Sequence, residues 1–144
     1  MGHMPSSGSR EPDETQRSDL SGLCVLVVED SWNIAAALKR LLQSCGANVI
    51  GPAATTADAD RMVSERRPDV AIVDVNLRRG ERSDGLIDRL HDQGIRVVVM
   101  TGYADAALAQ GKAAVILQKP CRADVLLANL RPPAPGAGAK SDTQ

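Results

Sequence analysis

Five positions in this 144-residue chain carry groups that can work together: the carboxylates of Glu29, Asp30 and Asp74, the hydroxyl of Thr101 and the ammonium of Lys119. Each stands at the end of a short aliphatic run: Leu23 to Val28, Val70 to Val73, Arg96 to Met100 and Val115 to Leu117. Three carboxylates held close together repel one another, and one of them is driven towards its protonated form unless a cation is near. A hard divalent ion such as Mg2+ meets that need, because it takes a few carboxylate oxygens, keeps waters and draws a phosphoryl oxygen into its shell. The hydroxyl and the amine then hold other phosphoryl oxygens, which leaves one carboxylate as the nucleophile. Phosphate chemistry is the use these residue types share.

Taken singly, each group has a plainer reading. An acid after a strand often caps the next helix, and Asp30 before Ser31 and Trp32 fits that role. Thr101-Gly102 reads as a turn and Lys119-Pro120 as a loop. What these readings leave unexplained is the joint order along four strand ends: acid pair, acid, hydroxyl, lysine.

The elements that must position these groups follow from periodicity. Leu23 to Val28 is a continuous apolar run, the pattern of a strand covered on both faces. Ile34, Leu38, Leu41, Leu42 and Cys45 form one stripe at helical spacing, stopped by Gly46. A second strand is predicted at Asn48 to Ile50, a helix at Thr56 to Arg66, a strand at Val70 to Val73, and a helix capped by Ser83 that carries Leu86, Ile87 and Leu90 and ends at Gly94. Strands at Arg96 to Met100 and Val115 to Leu117 and a last helix at Ala123 to Leu130 follow, with room for two helical turns at most between Ala104 and Gln110. Five strands alternating with five helices predict a doubly wound α/β fold, a parallel sheet with helices on both faces. In such a sheet ligands bind beyond the carboxyl ends of the strands, where the five groups lie.

Composition narrows the function classes. With 17 Lys and Arg against 18 Asp and Glu, a net of -1, nothing in the charge balance favours nucleic acid or a membrane surface as partner. At 43% apolar the chain can bury a core, which must be aliphatic because Trp32 and Tyr103 are its aromatic residues. Cys24, Cys45 and Cys121 read as small buried hydrophobes in a reducing, cytoplasmic setting, and His3 and His91 are too few to build a zinc or Cys/His site with them. Residues 1 to 20, which begin with the tag-like Met1-Gly2-His3-Met4, and 132 to 144 are expected to be disordered tails around a domain at 21–131.

The residues Val25-Leu26-Val27-Val28-Glu29-Asp30, Asp74-Val75-Asn76-Leu77, Ser83-Asp84-Gly85, Thr101-Gly102 and Gln118-Lys119-Pro120 resemble, as a set, those of a response-regulator receiver domain, over roughly residues 22 to 131. The resemblance implies a flavodoxin-like sheet of order 2-1-3-4-5. It also implies a two-component phosphorelay receiver in which Asp74 takes a phosphoryl group from a sensor histidine kinase. Glu29, Asp30, Asp74 and the backbone carbonyl of Asn76 would then hold Mg2+, Thr101 and Lys119 would bind phosphoryl oxygens, and the Lys119-Pro120 peptide would be cis. Thr101-Gly102-Tyr103 and Leu117-Gln118-Lys119-Pro120 are also similar to the stand-alone receivers known by a Phe-Ala-Thr-Gly-x-Tyr pattern, although Val99-Met100 replace Phe-Ala. Those relatives act by protein contact, so a downstream protein of unknown identity is implied and a homodimer stays open.

Two departures bear on switching. Receivers of this kind carry Tyr or Phe three residues before the lysine, and here that position is Ile116, so Tyr103 is the residue left to report the motion of Thr101 or simply to cover the rim. Cys121 stands where Phe often follows Lys-Pro. The small side chains from Ala104 to Gly111 make that segment the expected element for phosphorylation to order. The residues also admit two other readings: a small Mg2+-dependent phosphohydrolase using Asp74 and Asn76, for which Asn76 cannot transfer protons, and an interaction module that is never phosphorylated.

Overall fold

The computed structural model describes residues 19–77, 80–102 and 113–132. Along these the chain forms β1 (Cys24–Val28), α1 (Trp32–Ser44), β2 (Asn48–Ala53), α2 (Thr56–Glu65), β3 (Val70–Asp74), α3 (Asp84–Asp92), β4 (Arg96–Thr101), β5 (Val115–Gln118) and α4 (Ala123–Ala128). The strands make one parallel sheet of order β2-β1-β3-β4-β5. The expectations for both tails, for Tyr103 and for a helix between Ala104 and Gln110 fall outside the described residues.

The central strands are buried from end to end, β1 and β3 without exception, as their uninterrupted apolar runs require. Side chains alternate across the sheet. Leu26, Val28, Ala71, Val73, Val97 and Val99 pack against Ala59 and Val63 of α2 and Leu86, Ile87 and Leu90 of α3. Val25, Val27, Val70, Ile72, Val98 and Met100 pack against Leu38 and Leu42 of α1 and Leu126 of α4. Two aliphatic cores, one on each face, thus hold the strands in register and bring their carboxyl ends to one rim.

Helix ends follow local chemistry. Gly46, at φ 96°, closes α1 with its own N–H on the Gln43 carbonyl and the Ala47 N–H on the Leu42 carbonyl. Thr55 caps α2, its side chain accepting from the Asp58 N–H.

Three expectations need correction. β2 runs on to Ala53 rather than stopping at Ile50: Pro52 is tolerated on an edge strand, and Gly51, at φ 98°, lets the chain shift register between Leu26 and Val28 of β1. Ile34, placed on the buried stripe of α1, is exposed, because it faces an apolar groove between α1 and α4 rather than the sheet. Of the cysteines, Cys24 is buried, whereas Cys45 and Cys121 are half-buried.

Candidate functional site

The carboxyl ends of β1 and β3 lie side by side, since Val28 pairs with Val73. Glu29 and Asp30 therefore emerge next to Asp74, and one oxygen from each of the three falls within 4.8 Å of the others. Asp30 is not the cap of α1. Ser31 occupies that position, and its N–H donates to Glu29 Oε2 at 3.1 Å. Glu29 and Asp74 are buried and Asp30 is half-buried, so the cluster has a closed floor and one open side.

Lys119 enters from the end of β5. Its Nζ donates to Asp74 Oδ2 at 2.8 Å and to Glu29 Oε1 at 3.2 Å. Its backbone N–H donates to the Thr101 carbonyl at 2.8 Å, which ties it to the end of β4, and the peptide to Pro120 is cis, as the resemblance implied. Burial pushes the Glu29 carboxyl up from its ordinary value and the charge of Asp74 adds to this, against the Ser31 N–H and the lysine. Burial alone would lower the Lys119 ammonium, but its hydrogen bond to Asp74 and the two nearby negative charges outweigh that and hold it above its usual value.

Asp74 is fixed from three directions. Besides Lys119, the Asn76 N–H donates to its other oxygen, Oδ1, at 3.1 Å, and the Ser83 hydroxyl donates to its main-chain carbonyl at 2.5 Å. The loop after β3 folds back to allow this: Asn76 bridges to Arg82, Leu77 donates to the Glu81 carbonyl, and Ser83 donates to the Val75 carbonyl. Glu81 in turn accepts from the N–H and hydroxyl of Thr56, joining this loop to the start of α2. Ser83 was expected to cap α3; it holds the cap position, but its side chain makes no cap bond and is turned to Asp74 instead.

Thr101 is fully buried at the end of β4, one residue past Met100, the partner of Asp74, and its hydroxyl donates to the Gly102 carbonyl at 3.3 Å. Ile116 pairs with Val99 and packs on the α2/α3 core, so the position expected to carry a ring is filled by ordinary aliphatic packing. Tyr103 lies outside the described residues. Glu29, Asp30, Asp74, Asn76 and Lys119 are thus brought together, with Thr101 beside them. Beyond the rim, a groove of about 660 Å3 runs from Lys119 and Pro120 past Cys121 to Ile34, Ala37 and Leu41 of α1.

Oxygen donors alone, three of them carboxylates, fit a hard cation of the Mg2+ or Ca2+ kind and offer nothing to a softer metal.

A doubly wound sheet with a buried aspartate at its third strand, an acid pair at its first and a lysine at its fifth is the arrangement the resemblance to receiver domains implied. Residues 25–131 match the family model described as the response regulator receiver domain, and the chain belongs to that family, of the two-component type. Among curated proteins it is 32% identical over 100 residues to the phyllosphere-induced regulator PhyR of Methylorubrum extorquens, a match covering 67% of this chain and 38% of that protein. The crystal structure of the response regulator PhyR from Brucella abortus superposes with a TM-score of 0.70 at 23% identity, covering 82% of this chain and 50% of that one, a likeness of fold. A response regulator from Burkholderia pseudomallei, solved with a phosphorylated aspartic acid, calcium ion and citrate, gives a TM-score of 0.68 at 26% identity over 84% of this chain and 74% of that one. The chain spans less than two fifths of the curated PhyR it matches and half of the Brucella protein. No helix among the described residues is long and apolar enough to cross a membrane.

Proposed function

We propose that this domain accepts a phosphoryl group on Asp74 from a phosphohistidine of a sensor kinase, in the presence of Mg2+, and passes the signal on by protein contact. The observation that carries this reading is the junction of Asp74 Oδ2 with Lys119 Nζ at 2.8 Å beside the carboxylates of Glu29 and Asp30. Glu29, Asp30, Asp74 and the Asn76 carbonyl are the groups that would hold the cation, which supplies positive charge for the incoming phosphoryl oxygens. An Asp74 oxygen attacks phosphorus as the bond from phosphorus to the histidine nitrogen breaks, and the electron pair of that bond stays on the imidazole. Lys119 is already placed to leave the Asp74 oxygen and pair with the transferred group. In this reading the Thr101 hydroxyl gives up its bond to the Gly102 carbonyl to donate to a phosphoryl oxygen, which releases the chain at Gly102. The apolar groove that Lys119 helps to line is the face this reading gives to the partner.

The test is labelling by acetyl phosphate or by a kinase with Mg2+. The wild-type chain gains one phosphoryl group that alkali or hydroxylamine removes, as an acyl phosphate requires, and Asp74→Asn folds normally and gains none. Labelling of Asp74→Asn at the wild-type rate would overturn the assignment.

A further inference from the structure

Serine is among the best helix N-cap residues because its side-chain oxygen accepts from the backbone N–H of the first turn. At Ser83 that preference is given up. The residue holds the cap position of α3 and its carbonyl accepts the first helical bond from Ile87, yet the hydroxyl makes no cap bond. It lies in a fully buried position and donates instead to the carbonyl oxygen of Asp74, nine residues earlier. A local rule broken without local gain marks a place where the group serves another purpose.

What the hydrogen bond fixes is the plane of the peptide between Asp74 and Val75, because the carbonyl oxygen and the following N–H are rigidly coplanar. That plane sets the direction of the chain towards Asn76, whose N–H holds Asp74 Oδ1. The Asp74 carboxylate thus has one oxygen on Lys119, one on a main-chain N–H two residues ahead, and its own backbone anchored by Ser83. The described hydrogen bonds of Ser83 go to the Asp74 and Val75 carbonyls and to the Ile87 N–H, none of which carries the cation in the reading above.

We infer that Ser83 is a positioning residue for phosphoryl acceptance: its hydroxyl, spent on the Asp74 carbonyl rather than on helix capping, holds the acceptor carboxylate in its reactive orientation. This rests on the reading of Asp74 given above. Without the hydroxyl the Asp74–Val75 peptide loses one of its anchors, the Ser83 N–H on the Val75 carbonyl remaining, and the carboxylate loses its alignment with the incoming phosphorus, a kind of misplacement that costs about 10- to 100-fold in rate.

The experiment measures the limiting rate of labelling by acetyl phosphate at saturating Mg2+, alongside the carbonyl carbon shift of Asp74 by NMR. Ser83→Ala and Ser83→Cys, the latter filling the same space with a weak donor, are expected to label at least about tenfold more slowly and to move the Asp74 carbonyl resonance. Ser83→Thr, which keeps a hydroxyl, restores the rate to within about threefold, on the same alignment argument. Leu90→Ala, which loosens α3 through the core alone, lowers the melting temperature but keeps the rate. If the wild-type chain takes no label, the Asp74 reading itself fails. If it labels and both Ser83 variants match it, or Leu90→Ala slows labelling as much as they do, Ser83 has no positioning role.

Discussion

Replacing Lys119 by Met keeps a stem of similar length against the groove and removes the charge together with its two hydrogen bonds to Glu29 and Asp74. The two carboxylates it serves are nearly closed to water, with side-chain exposures of 4% for Glu29 and 10% for Asp74. Removing one partner of a fully buried pair costs about 3–5 kcal/mol, and since Lys119 itself is 26% exposed, solvent screening reduces the expected loss to roughly 1–3 kcal/mol. For a domain of this size that is a fall of about 3–9 °C in melting temperature. The loss has a defined pH dependence in chelator. The ammonium of Lys119 is held above its usual value, so while Glu29 is ionised its stabilisation is complete below about 10.4 and disappears as pH climbs through the raised value. Glu29 is raised too, so its ionisation in the fold costs stability as pH rises from about 4.3, and without the lysine that cost grows. Urea unfolding followed by far-UV circular dichroism should therefore show a deficit for Lys119→Met that is smaller at pH 4, where the Glu29 carboxyl is protonated, than from pH 7 to 9, and that shrinks above about pH 10.4. An equal deficit at pH 4 and pH 7 would refute the argument.

Other outcomes follow from single features. Gly46→Ala should destabilise more than Gly22→Ala: both backbones are left-handed, costing about 1–2 kcal/mol for a Cβ, but at Gly46 that Cβ also meets Ser21 Oγ at 2.7 Å, whereas at Gly22 it meets open space. Equal unfolding midpoints for the two would contradict this. Thr55→Ala removes the side-chain cap of α2 and is expected to cost about 1 kcal/mol in urea titration, and a change within error would deny that cap any weight. Cys24 is buried in β1 and burial raises its thiol above the ordinary value, so a disulfide reagent should modify it only on unfolding, after the half-buried Cys45 and Cys121. Simultaneous modification of all three in the folded protein would show β1 to be less closed than its packing implies.

The aliphatic runs made the sheet legible because burial on both faces leaves no polar position to blur them, and β1, β3 and β4 lie where those runs are. The strand ends were less legible. Asp74, Thr101 and Gln118 belong to their strands although they are polar, because ladder pairing with Met100 and Thr101 depends on neighbours that no local window contains. β2, expected to stop at Ile50, continues through Gly51-Pro52, since an edge strand needs no donor from Pro52 on its open side. For the site, residue type and strand order were enough to converge Glu29, Asp30, Asp74 and Lys119. They did not show Lys119 shared between two acids, the Glu81 carboxylate reaching Thr56, or the Ser83 hydroxyl turned from its helix to Asp74. Each of these depends on the fold-back of the loop after β3 or on the meeting of distant strands, and the serine gave a misleading signal because its residue type and place both matched a helix cap.

The single indole of this protein has an optical consequence. Trp32 is 75% exposed and two residues from Asp30, while both cores are wholly aliphatic. Its emission in the native state should already resemble that of a tryptophan in water, so global unfolding will leave the emission wavelength almost unchanged. The same exposure makes its intensity responsive to ions and macromolecules arriving at the mouth of the acidic cluster, a built-in fluorophore for binding that is nearly blind to melting.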